Sequence, residues 1–121
     1  MDLLGELNVV RERYSQAQLR EADGQRALLV SGVPLPPGWN LTETAIAFLV
    51  PVGFPHAGPD CFFADAGLRL ASGAEPANSA PQPLLCSQYR WFSWHPSGWQ
   101  PESGSLTSYL RFCEARLREV R

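Results

Sequence analysis

The sequence predicts a single α+β domain over residues 1–121, with an N-terminal helix, an antiparallel meander of about four strands, a long irregular segment and a C-terminal helix. Helical apolar spacing is confined to the two ends of the chain. Short apolar runs punctuated by Pro, Gly and Asp-Gly fill the middle, and Ala71 to Pro83 consists of Ala, Ser, Gly, Pro and Asn with few large residues. Strands grouped between helices point away from alternating βα units, and short connections favour pairing with sequence neighbours. At 121 residues and 45% apolar composition, the chain has the size of one domain and the means to bury a core.

Each element follows from local pattern. Leu3, Leu7 and Val10 recur at helical spacing with Leu4 beside them, and Asp2 stands where the helix dipole favours an acid. Gln18 to Ala22 and Gln25 to Val30 flank Asp23-Gly24, the pair preferred in a tight hairpin turn. Pro34 to Gly38 interrupts regular structure. Strand character returns at Thr44 to Val50 and again, after the breaker-rich loop Pro51 to Pro59, at Asp60 to Ala64, with Leu68 and Leu70 as a shorter apolar continuation. Leu84 to Trp99 is dense in aromatics. Leu106, Leu110, Cys113, Leu117 and Val120 then step by four and three along one helical stripe, with Arg111, Glu114, Arg118 and Glu119 turned away and Ser103 or Ser105 as N-cap.

Composition excludes several classes of function. A net charge of −2 gives no basic face for nucleic acid. No apolar run approaches membrane-spanning length, and the acidic, amphipathic start lacks the pattern of a signal peptide, so a cytoplasmic location is expected. Cys61, Cys86 and Cys113 are too few for a disulfide scaffold, and the absence of a CxxC pair gives no zinc motif. The question is therefore whether one thiol is a nucleophile. All ten basic residues are Arg. GC-rich codon usage explains this, and it also suits a protein that bears an activated acyl group and gains from having no lysine amine of its own.

The segment Phe48 to Phe63, FLVPVGFPHAGPDCFF, resembles the ubiquitin-conjugating-enzyme pattern: an apolar strand ending in Pro51, the aromatic-Pro pair Phe54-Pro55, then Pro59 and another apolar strand. The Pro34 to Trp39 segment and the WFSWHPSGW region before the terminal helix are similar to the bacterial branch of that superfamily. The resemblance covers most of the chain and implies the UBC-like fold. It also implies a cysteine that carries a ubiquitin-like protein as a thioester, received from an adenylating activating enzyme and passed to a nucleophile. In the family an Asn lies eight residues before that cysteine and an aliphatic residue directly precedes it. Here Asn78, Leu85 and Cys86 match. Ala77 and Pro76 stand where the family has Pro and His, and the segment from Cys86 to Trp99-x-Pro101 is longer than usual.

The resemblance thus assigns Cys86 as the acyl-carrying thiol and Asn78 as the donor to the oxyanion formed during transfer, a contact typically worth about 2.7–4 kcal/mol of barrier. Packing of Cys86 through Leu84 and Leu85, and a simple Asx turn at Asn78, are the structural alternatives. Cys113 lies on the apolar stripe and Cys61 among Phe62 and Phe63, so both are expected to be buried, with Cys61 the next candidate nucleophile. His95 could take a proton from an incoming nucleophile, and Asp60 or Asp65 could orient an amine; a packed His and solvated acids are the plainer roles. The conjugating step needs no metal and no organic cofactor. Partners implied by resemblance are a ubiquitin-like protein, the activating enzyme and a JAB-type deconjugating peptidase, in a bacterial pathway of anti-phage type. The alternative is a catalytically inactive UBC-like scaffold that binds the ubiquitin-like protein or the activating enzyme.

Overall fold

The computed structural model describes residues 2–121. Helix α1 (Leu3–Arg11) is followed by strands β1 (Gln18–Ala22), β2 (Gln25–Pro34), β3 (Glu43–Leu49), β4 (Phe62–Asp65), β5 (Ser79–Leu84) and β6 (Ser87–Phe92), and then by helix α2 (Leu106–Arg118). The strands form one antiparallel sheet in the order β1-β2-β3-β4-β6-β5. No helix among the described residues is long and apolar enough to cross a membrane.

The expected meander is β1 to β4. The count of about four strands is corrected to six, because a β5–β6 hairpin docks on β4 through β6. Strand β5 was hidden inside the supposed irregular segment Ala71 to Pro83. Its sequence, SAPQPL, carries two prolines and little apolar patterning. Proline lacks the N–H that a central strand needs but is tolerated at an edge, which is where β5 lies. The Asp23-Gly24 turn forms as expected, with φ of 51° and 76°.

Alternation along the strands sorts side chains onto two faces. Leu28, Val30, Ile46, Phe48, Phe62, Ala64 and Phe92 meet Leu7 and Val10 of α1 and Leu106, Tyr109, Leu110, Cys113 and Leu117 of α2 in the main core. The opposite face carries a smaller cluster around Ala27, Ala47, Phe63 and Leu84. Phe62 and Phe92 stack with centroids 4.9 Å apart, and Phe48 meets Tyr109 edge-on at 4.7 Å.

Both helices are capped by side chains. Asp2 Oδ1 accepts from the Gly5 N–H at 2.8 Å, and Ser105 and Ser108 form a reciprocal capping box. The predicted α2 stripe holds from Leu106 to Leu117. Val120 does not continue it, since the helix ends at Arg118 and Val120 is exposed. Glu114 is also corrected: it is buried rather than solvated. Tyr14 Oη donates to it at 2.6 Å and Arg13 pairs with it at 3.0 Å, joining the end of α1 to α2.

Burial, then the bond to the Glu114 carboxylate, pushes the Tyr14 phenol pKa up to about 12. The folded state thus favours the protonated phenol. Its contribution is complete below pH 10 and is lost as pH rises towards 12. Glu114→Ala removes an acceptor shared by two donors. Urea unfolding at neutral pH should show a loss of about 1.5–3 kcal/mol, the range for hydrogen bonds to a charged group. In the same variant the Tyr14 phenol should ionise at lower pH.

Candidate functional site

The candidate residues are distributed by the register of β4, β6 and β5. Phe62 pairs with Phe92 and Phe92 with Ser79, while Asp65 pairs with Tyr89 and Tyr89 with Gln82. One end of this three-strand unit therefore gathers the residues before Phe62, after Phe92 and before Ser79, namely Asp60, Cys61, Ser93, His95 and Asn78. The other end carries the β5–β6 turn and Cys86.

Leu84 pairs with Ser87, so Leu85 and Cys86 are the two central residues of a tight hairpin turn. Their φ values are 46° and 70°, a region where a side chain costs about 1–3 kcal/mol unless it is glycine. The backbone twist of such a turn matches that of the strands it joins, which explains why the strain is accepted. Leu85 packs on the smaller cluster. Cys86 is exposed at the tip, whereas Cys61 and Cys113 are buried as expected.

The structure does not bring Asn78 and Cys86 together. The eight-residue spacing is filled by an extended strand and a turn, not by a loop that folds back. Six residues of β5 place the two at opposite ends, about 20 Å apart. Asn78 adopts φ 56°, which Asn tolerates better than most residues, and its carbonyl accepts the Ser93 N–H at 2.8 Å. Its carboxamide is thus out of reach of an acyl group on Cys86. Asp65 is occupied structurally: its carboxylate accepts from the Ala45 N–H at 3.3 Å and its own N–H donates to Thr44 Oγ1 at 3.1 Å.

At the Asn78 end, His95 is not packed among aromatics but exposed. Its Nδ1 pairs with Asp60 Oδ1 and lies 3.8 Å from Cys61 Sγ, and its Nε2 lies 3.4 Å from Ser93 Oγ. Cys61 is 8% exposed, just beneath this pair. Burial pushes its thiol pKa up, against hydrogen bonds from the Trp94 backbone and the Trp91 side chain that favour the thiolate. Sequence reasoning named Asp60, Cys61 and His95 separately and missed that they meet. His95 is 34 residues from Cys61, and only the β4–β6 register makes them neighbours.

Trp99 anchors the loop between β3 and β4. Its Nε1 donates to the Pro55 carbonyl at 2.8 Å, and its ring passes between Gly58 and Gly104. A Cβ at either glycine would lie within 2.5 Å of the indole, so larger residues would displace the ring. Between this loop and the β1–β2 turn lies an open groove of about 890 Å³, lined in part by Leu49, Val50, Gly53, Pro59 and Asp60.

Among known proteins, the family described as Prokaryotic E2 family E matches residues 8–120. No curated protein and no solved structure matches the chain.

Two measurements test the geometry of the thiols. In the native chain a chromogenic disulfide reagent should react rapidly with one thiol, lost in Cys86→Ser, and with three after unfolding. Cys86→Gly should raise stability by about 0.5–1 kcal/mol, since relief of about 1–2 kcal/mol of backbone strain exceeds the added chain entropy of glycine. Denaturant midpoints of the two proteins give that difference.

Proposed function

We propose, since the chain belongs to prokaryotic E2 family E, that it accepts a ubiquitin-like protein as a thioester on Cys86 and passes it to a nucleophile. The observation that carries this assignment is an exposed thiol held at a hairpin tip, in a backbone conformation that glycine would fill at lower cost. The donor is the thioester on an adenylating activating enzyme. The Cys86 thiolate attacks the acyl carbon, a new S–C bond forms as the old one breaks, and the partner's thiolate leaves. One thioester replaces another with little energetic change. An amine or hydroxyl then attacks the same carbon and the Cys86 thiolate leaves in turn. ATP is consumed by the activating partner, and no cofactor enters the conjugating step.

By the same resemblance, the setting is a bacterial cytoplasmic conjugation pathway of anti-phage type, with a JAB-type peptidase reversing the modification. One observation favours a second reading, a scaffold that binds the ubiquitin-like protein or the activating enzyme without carrying an acyl group: Asn78 lies too far from Cys86 to steady an oxyanion there.

Incubation with the activating enzyme, the modifier and ATP, followed by a non-reducing gel, separates these readings. A thiol-sensitive adduct that disappears in Cys86→Ser supports the carrier. An adduct that survives Cys86→Ser and disappears in Cys61→Ser transfers the role to the buried thiol. Complex formation with no adduct in the unmodified sequence establishes the scaffold.

A further inference from the structure

We propose that Asp60, Cys61 and His95 bind one divalent transition-metal ion, zinc by the chemistry of the donors, through Asp60 Oδ1, Cys61 Sγ and His95 Nδ1. The three residues each offer a ligand atom, and these atoms lie within 4.8 Å of one another. Zinc bonds of about 2.3 Å to sulfur and 2.0–2.2 Å to nitrogen and oxygen hold tetrahedral ligands roughly 3.3–3.6 Å apart. The Cys61 Sγ to His95 Nδ1 separation of 3.8 Å is already close to that. Asp60 sits in direct contact with Nδ1 and must step back to admit the ion. Its side chain is 70% exposed and free to do so.

The surroundings suit a metal better than a simple surface ion pair. Ser93 Oγ, 3.4 Å from Nε2, can accept that nitrogen's proton once an ion takes the place between Nδ1 and Asp60. A ligating histidine is usually fixed in this way through its other ring nitrogen. Burial raises the Cys61 thiol pKa; a coordinated cation would reverse this, since a metal-bound thiol is deprotonated. Tyr109 Oη donates to the Cys61 carbonyl at 2.7 Å, which holds the residue in its φ 62° conformation. A mixed sulfur, nitrogen and oxygen set selects zinc or cobalt over magnesium or calcium, which prefer oxygen alone. The fourth position would take water, as in an open three-ligand zinc site.

Binding changes no oxidation state. The ion displaces the Cys61 thiol proton, which is released to solvent, so affinity falls as pH falls. The site stands independently of the acyl-carrier reading, and its test needs no activating enzyme, modifier or ATP.

The metal-stripped full chain is titrated with Co²⁺ and followed by absorption. One equivalent should produce a thiolate-to-cobalt charge-transfer band, and Zn²⁺ should abolish it by displacement. Cys86→Ser should retain the band and Cys61→Ser should lose it. Asp60→Asn and His95→Gln change exposed side chains while keeping their size, and each should weaken binding at least about tenfold. These two keep the test decisive if Cys61→Ser does not fold. The proposal is overturned if the unmodified chain gives no band, if the band persists in Cys61→Ser, or if affinity is indifferent to both Asp60→Asn and His95→Gln.

Discussion

The antiparallel pairing of β4 with β6 is the constraint from which both candidate sites follow. Phe62 opposite Phe92, with their rings stacked in the main core, fixes which residues stand at each end of the unit. A slip of β4 by one residue would turn Phe62 out of the core and bring Phe63 in, exchanging the faces of that strand. Because the core face is fully buried, such a slip is costly, and the register is strongly specified. His95 therefore arrives beside Cys61, and the β5–β6 turn arrives at the opposite end, without any direct interaction selecting either placement.

A second layer of packing keeps these ends in place. Trp99 threads between Gly58 and Gly104 and bonds to Pro55, so the loop leading into Asp60 is tied to the segment leading into α2. Arg116, 1% exposed, secures the other strand ends. Its guanidinium donates to the carbonyls of Ala77, Glu119 and Arg121 and lies over the rings of Phe92 and Trp94. Burial lowers its pKa, but three carbonyl acceptors and two aromatic faces replace the water it gives up. The aromatic-rich stretch Leu84 to Trp99 is thus explained mainly as structure that holds the strand ends, with Trp94 stacked on Phe112 and capped by two guanidinium groups.

The sequence made legible whatever depends on local pattern. The Asp-Gly hairpin, both helices, the Ser105 cap and the burial of Cys61 and Cys113 can all be read from spacing and residue type. What failed depends on pairing between distant segments. Strand β5 has the composition of a loop because an edge position relaxes the demand for apolar, N–H-bearing residues. Glu114 reads as a solvated face residue because its partners Arg13 and Tyr14 are about a hundred residues away. For the site, the Asn78 to Cys86 spacing was real as a count and misleading as a geometry. Eight residues reach a neighbouring position when coiled and span the sheet when extended, and spacing alone does not choose between the two.

The hairpin tip supplies a thiol and little else. Residues 82–88 contain no titratable side chain other than Cys86, and the chain has no lysine to intercept an acyl group. Arginine, which provides all ten basic residues, remains protonated and is a poor acceptor. An acyl group at this position would meet no local base and no side-chain amine of its own carrier. On the proposed carrier reading, a base for release is brought to the tip by another protein, since Asp60, His95 and Asn78 stand at the far end of the sheet.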